Sequence, residues 1–292
     1  MFDFLLIEFP VSKVKTYLFI PPLFSFILSF FCATGGVSGA FLLLPFQINI
    51  LGFTSPSVSA TNHLYNVIAI PSGVYRYWKE KRFYGPLTVI ITLGTFPGVI
   101  IGYFLRVNFF QNIKNFKLLV GLVLLFIGIK LFYDLLFPPK ETSFSPTPPK
   151  TITFNFHKLL FEYGGQIYSL NTPFIILISF LIGVVGGIYG IGGGAIMAPI
   201  LLAFFHLPPY VFAGATLFGT FLTSILGVIV YTLGGNGPDF WLGCLFGIGG
   251  AIGLYFGAKL QKRFPQKLIR LILSLILFYI SFQYISQFFF KT

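Results

Sequence analysis

Apolar residues gather along this chain into eight long runs, at about 18–52, 57–77, 86–106, 116–137, 173–206, 210–233, 239–260 and 267–290. A helix needs about 20 residues to cross the hydrocarbon core, and the runs have that length without the strict alternation of a membrane barrel. The pattern predicts an all-α polytopic membrane protein. One polar interruption is long: "PPKETSFSPTPPKTITFNFHKLLFEYGG" is rich in Pro, Thr, Ser and charge, and predicts a linker over 138–172. It divides the chain into a first transmembrane repeat, 1–137, and a second, 173–292.

The two groups of four runs align at an offset of about 154. "GVSGAFLLLP" (36–45) then falls on "GIGGGAIMAP" (190–199), and Ala60-Thr61 on Ala215-Thr216. Gly98 and Gly102 match Gly253 and Gly257, a spacing that lets helices approach closely. Two homologous four-segment repeats are expected, each beginning with a glycine-broken helix, since clustered glycine disfavours an unbroken one. Internal repeats of this kind point to a transporter.

Composition agrees: 56% of residues are hydrophobic and 9% charged. The net charge of +12 comes from Lys and Arg that mostly flank the runs, so it reads as membrane topology rather than nucleic-acid binding. If every run simply crosses, the flanking charges divide ten to eight. If the first run of each half dips in and returns at its break, they divide twelve to six, which favours inverted repeats with a cytoplasmic linker. The start, "MFDFLLIEFPVSKVK", places two acids before its first lysine and lacks the design of a cleavable signal peptide. Its "SKVK" reads as a segment along the membrane surface. Cys32 and Cys244 read as structural thiols.

The doubled glycine motif, with "SATN" opening the second run, resembles the TauE/SafE family of sulfite-exporter-like membrane proteins. That resemblance implies a multi-pass protein of a cell membrane, as in the prokaryotic inner membrane, that moves sulfite or an organosulfonate such as sulfoacetate. The first copy departs from the second at Ser38 and Ala40, where glycines 192 and 194 stand, and the linker is long for the family.

The residues themselves also fit an anion. All seven acids lie at ends, loops or run boundaries, so none is set for a cation cage or carboxylate relay at mid-membrane. An anion can instead be held by the N-termini of broken helices, through free N–H groups and the helix dipole. One terminus contributes roughly 0.3–2 kcal/mol, whereas desolvating an ion costs several, so neutral donors must supply the rest. The expected substrate-binding residues are Thr34, Ser38, Gly39, Thr61, Asn62, Asn66, Gly192, Gly193, Gly194, Thr216 and Thr220. Asn62 and Asn66 share one helix face, as do Thr216 and Thr220. His63 is a candidate for coupling anion movement to a proton. Each of these residues also has a plain structural reading, in caps and helix–helix hydrogen bonds. No cofactor, metal or nucleic acid is expected, and no nucleophile and base are spaced as an enzyme would need. A channel-like facilitator and a non-transporting subunit of a larger complex remain alternatives.

Overall fold

The computed structural model describes residues 5–35, 39–80, 83–137, 148–260 and 266–290. These form ten helices and five short strands. The first half holds α1 (Ile20–Gly35), α2 (Ala40–Asn49), α3 (Ser57–Lys79), α4 (Gly85–Asn108) and α5 (Ile113–Leu136). The second holds α6 (Thr172–Tyr189), α7 (Gly194–Ala203), α8 (Pro209–Leu233), α9 (Phe240–Leu260) and α10 (Gln266–Phe290). The first run of each half is thus two helices with a break between them. Six helices, α4, α5, α6, α8, α9 and α10, are long and apolar enough to cross a membrane. The chain is an all-α polytopic membrane protein.

Local chemistry sets several boundaries. Asn112 caps α5 by accepting the Lys114 N–H at 2.8 Å, and Asn171 caps α6 by accepting that of Phe174 at 3.0 Å. Proline stands in the first turn of α4, α6 and α8, where its missing N–H costs no helix bond.

Each short helix folds back along the helix before it. Phe24 of α1 stacks on Phe46 of α2 with ring centres 3.6 Å apart, and Phe174 at the start of α6 lies 6.1 Å from Phe205, just past α7. The chain therefore enters on α6, turns at its glycines, and comes back on α7 to the end where it entered. Small residues fix the main pairings. Gly94, Gly98 and Gly102 of α4 lie against the backbone of α6 between Ile176 and Ile188, so tightly that a Cβ would overlap it. Gly249, Gly253 and Gly257 of α9 do the same along α1 from Pro22 to Phe30. Both pairs run parallel. By contrast α3 and α8 run antiparallel, with Gly73 against Leu217 and Gly227 against His63. So do α5 and α10, with Gly121 against Tyr284 and Gly128 against Leu277.

Two small sheets sit at opposite ends. β1 (Leu6–Glu8) and β2 (Lys15–Tyr17) form a hairpin in the region expected to lie along the membrane surface. Asp239, between α8 and α9, accepts the N–H groups of Val11 and Ser12 and the Ser12 hydroxyl, at 2.8–3.1 Å. At the other end β3 (Lys150–Phe154), β4 (Lys158–Tyr163) and β5 (Gln166–Asn171) build a three-stranded antiparallel sheet out of the second part of the linker. Linker composition hid this sheet, because its alternating apolar residues follow a Pro- and Thr-rich stretch. The sheet packs on the α3–α4 connection through Tyr84, whose hydroxyl meets that of Thr151 at 3.0 Å. Tyr163 also stacks on Tyr210 at the start of α8, with ring centres 5.4 Å apart.

Candidate functional site

The second glycine break lies between the middle of α4 and the middle of α8. Gly190 and Gly192 have φ values of 82° and 70°, in the left-handed region that only glycine adopts cheaply. These two residues reverse the chain. α7 then starts at Gly194, beside the Thr216 carbonyl and the Thr220 hydroxyl, while Gly193 fits against Thr95. Its N-cap, Gly193, has no side chain with which to cap the first turn. An uncapped helix start leaves N–H groups free for a ligand or for water.

Side chains from α3 and α8 close over this break. The Asn66 amide donates to the Ser224 hydroxyl at 3.2 Å and to the Gly190 carbonyl at 3.5 Å. His63 Nδ1 meets the same Ser224 hydroxyl at 3.4 Å. The Ser59 hydroxyl donates to the Ile188 carbonyl at 2.8 Å, and Tyr231 to the Gly187 carbonyl at 2.8 Å. Ser59, His63, Asn66, Thr220, Ser224 and Tyr231 are all buried, and Asn66 Oδ1 has no partner there. A buried polar atom left unpaired costs about 1–3 kcal/mol, and the Asn66 Oδ1 acceptor would be satisfied by a hydrogen-bond donor.

The first break reaches a comparable place from the other half. Gly39 stands before α2 as its N-cap, against Leu28, Ser29 and the Tyr65 hydroxyl, and likewise has no side chain to cap it. The Asn62 amide donates to the Ala40 carbonyl at 3.0 Å and accepts from Gln47 at 3.4 Å. Tyr189, next to the second break, donates to the Phe41 carbonyl in the first turn of α2 at 2.5 Å. One side chain thus bridges the end of α6, at the second break, and the first turn of α2.

Of the residues expected from sequence, this arrangement brings together His63, Asn66, Gly192, Gly193, Gly194, Thr216 and Thr220, with Asn62 and Gly39 at the adjoining break. The Thr216 and Thr220 hydroxyls donate to carbonyls one turn back in α8, at 3.0 and 2.9 Å, which leaves their lone pairs rather than their protons facing outward. Thr61 serves elsewhere. Its hydroxyl donates to the Ser57 carbonyl and accepts the Asp239 N–H, each at 2.9 Å, pinning α3 to the α8–α9 connection. Ser38 and the Thr34 side chain lie outside the described residues. Sequence reasoning missed Ser224, Ser59 and Gln47. Ser224 is one turn beyond Thr220, so extending the polar face by four residues would have found it.

A family model described as "Sulfite exporter TauE/SafE" matches residues 22–284. The chain belongs to the TauE/SafE family. The match takes in both breaks and every helix that lines them. Relatives include the probable membrane transporter protein YunE of Bacillus subtilis, 27% identical over 86% of this chain and 91% of its own length. Another is YjnA of the same organism, also a probable membrane transporter, 25% identical over 83% of this chain and 89% of its own. Sulfite exporter TauE/SafE family protein 6 of Arabidopsis thaliana is 34% identical over 36% of this chain and 25% of its own. No solved structure matches the chain. As a member of TauE/SafE, this protein is a membrane transporter and not an enzyme.

Proposed function

We propose that the protein carries a small sulfur oxyanion, sulfite or an organosulfonate such as sulfoacetate, held where α2 and α7 begin, between two inverted repeats. One observation bears most of the weight: α2 and α7 each begin at a glycine with no side chain to cap them, and Tyr189, beside the second break, reaches the Phe41 carbonyl in the first turn of α2. Both present the positive end of a helix dipole, and the N–H groups of a first turn point along the axis toward an anion. Around them stand the neutral side chains Asn62, Asn66, Ser224 and His63, and no described acid lies among them. The Arabidopsis relative's name supports sulfite as the chemistry.

Inversion is supported by helix direction. α3 and α8 are equivalent in the aligned halves and run antiparallel, and α5 and α10 likewise. An axis in the membrane plane relates such pairs, and it passes close to the breaks. His63 meets Ser224 between the two halves, which supports it as the group that exchanges a proton as the halves move.

The purified protein should melt at higher temperature in sulfite, sulfoacetate or thiosulfate than in matched chloride or acetate. Asn66→Ala and Gly193→Val should abolish the difference. A folded wild type indifferent to the whole sulfur-anion panel would sink the reading. Flux into liposomes under an imposed pH gradient then tests coupling, which should be lost in His63→Gln while anion binding persists.

A further inference from the structure

Arg106, near the end of α4, is fully buried. Taking a guanidinium out of water costs several kcal/mol unless an anion and hydrogen bonds compensate. Compensation here is partial. The guanidinium stacks on Phe116 of α5 with its central carbon 3.8 Å from the ring centre, and Nη1 donates to the Phe110 carbonyl. Among the described residues, Nε and Nη2 have no hydrogen-bond partner. The ion pairs among the described residues join Lys15 to Glu8, Arg76 to Glu80 and Lys130 to Asp134. Arg106 is in none of them. Asp239, the buried acid at the same end of the bundle, is occupied by Val11, Ser12 and the Leu242 N–H.

The two free atoms are not arbitrary. Nε–H and the outer Nη2–H point the same way and form the side edge of the guanidinium, a planar fork that matches two oxygens of one oxyanion. Phe116 holds the plane of that fork, and the Phe110 carbonyl occupies the competing Nη1 edge. From Arg106 a buried line of side chains leads to the glycine break. Tyr103 is one turn back on α4, its ring 4.8 Å from Tyr231, which is 6.0 Å from His63 on the Ser224 cluster. Tyr103 and Tyr231 also tie down this end of α8, through the Gly234 and Gly187 carbonyls.

We propose that Arg106 is a second, occluded oxyanion site, at the end of the bundle opposite the linker sheet, where its Nε/Nη2 fork takes two oxygens of a sulfonate or sulfite entering or leaving the break. The site rests on the reading that the break binds such anions. It adds the one full positive charge that neutral donors and helix ends lack, at one mouth of the path. Its occlusion fits a transporter closed at this end, opening when α4 and α8 part.

The test uses the purified full chain, with sulfoacetate and sulfite titrated by calorimetry. Arg106→Gln should weaken binding by about tenfold or more, because a charge-assisted fork is lost, and Arg106→Lys should fall between, restoring charge without the fork. Arg106→Gln binding as tightly as wild type, while Asn66→Ala does not, would overturn the Arg106 site and leave the site at the break standing. If Arg106→Gln does not fold, phenylglyoxal modification of wild-type Arg106, read by mass spectrometry, decides instead. Sulfoacetate should slow the reaction at this residue. An unchanged rate, or an Arg106 that never reacts, refutes the proposal. Should the wild type answer to no sulfur anion, the reading at the break fails, and protection of Arg106 by sulfate or phosphate alone decides whether its fork is an oxyanion site.

Discussion

A methyl group in place of the Gly194 hydrogen would overlap the Thr216 carbonyl and crowd the Thr220 hydroxyl. Backbone cannot yield as a flexible side chain does, so Gly194→Ala should cost on the order of 3 kcal/mol and displace the start of α7. Thermal unfolding and anion binding should both fall in that variant. Ser224→Ala makes the opposite test: it removes the shared partner of His63 and Asn66 and only one oxygen's volume from the contact with Gly192. Stability should drop by only about 1 kcal/mol, while sulfur-anion stabilisation falls far more. Wild-type anion response in Ser224→Ala would remove the cluster from the site. Gly192 and Asn66 were legible in the sequence because glycine clusters and paired polar residues stand out in apolar runs. Arg106 was not, since an arginine closing a run reads as a flanking charge and only its unfilled fork says otherwise. Thr61 shows the converse limit, because the motif singled it out with Asn62 but could not show that its hydroxyl accepts the Asp239 N–H.

At the scale of elements, the breaks were readable and the sheets were not. A glycine cluster inside an apolar run announces a reversal by its cost to a helix. Strands of three to six residues carry too little pattern to stand out from a linker or a short polar start. Yet the N-terminal hairpin has a definite anchor. Asp239 accepts three hydrogen bonds from Val11 and Ser12, and its own N–H is taken by Thr61. Asp239→Ala leaves the Val11, Ser12 and Leu242 N–H groups and the Ser12 hydroxyl without their acceptor and should cost on the order of 2 kcal/mol. The hairpin should then detach, so that trypsin cuts after the exposed Lys13 and Lys15 faster than in wild type. Asp239→Asn keeps a neutral acceptor and should lie between. Equal cleavage in all three would mean that the hairpin is held by its packing and not by the carboxylate.

For the molecule as a whole, the antiparallel course of equivalent helices and the parallel pairing of α4 with α6 and α9 with α1 lead to one arrangement. If α6 and α7 dip in and return, as the closeness of Phe174 and Phe205 supports, α3, α4 and α5 make three crossings and α8, α9 and α10 make three in reverse. α3 was the least apolar of these because its polar first half, Ser57 to Asn66, is buried against α8, α9 and the breaks and does not meet lipid. The linker sheet, the α3–α4 connection, the end of α9 and the start of α10 then share one side, and by the positive-inside rule the basic residues in these parts of the sequence favour a cytoplasmic face there. The N-terminal hairpin, the α4–α5 connection and the α8–α9 connection share the other. In a variant without Cys32 and Cys244, single cysteines at Lys79 and Gln166 should react with an impermeant maleimide only when the cytoplasmic face is exposed, and cysteines at Gln111 and Asn236 only from outside. Labelling of Gln166→Cys and Asn236→Cys from the same side would break the inversion. With it would go the argument that α2 and α7 start toward each other from opposite faces, which is what makes one shared anion site possible.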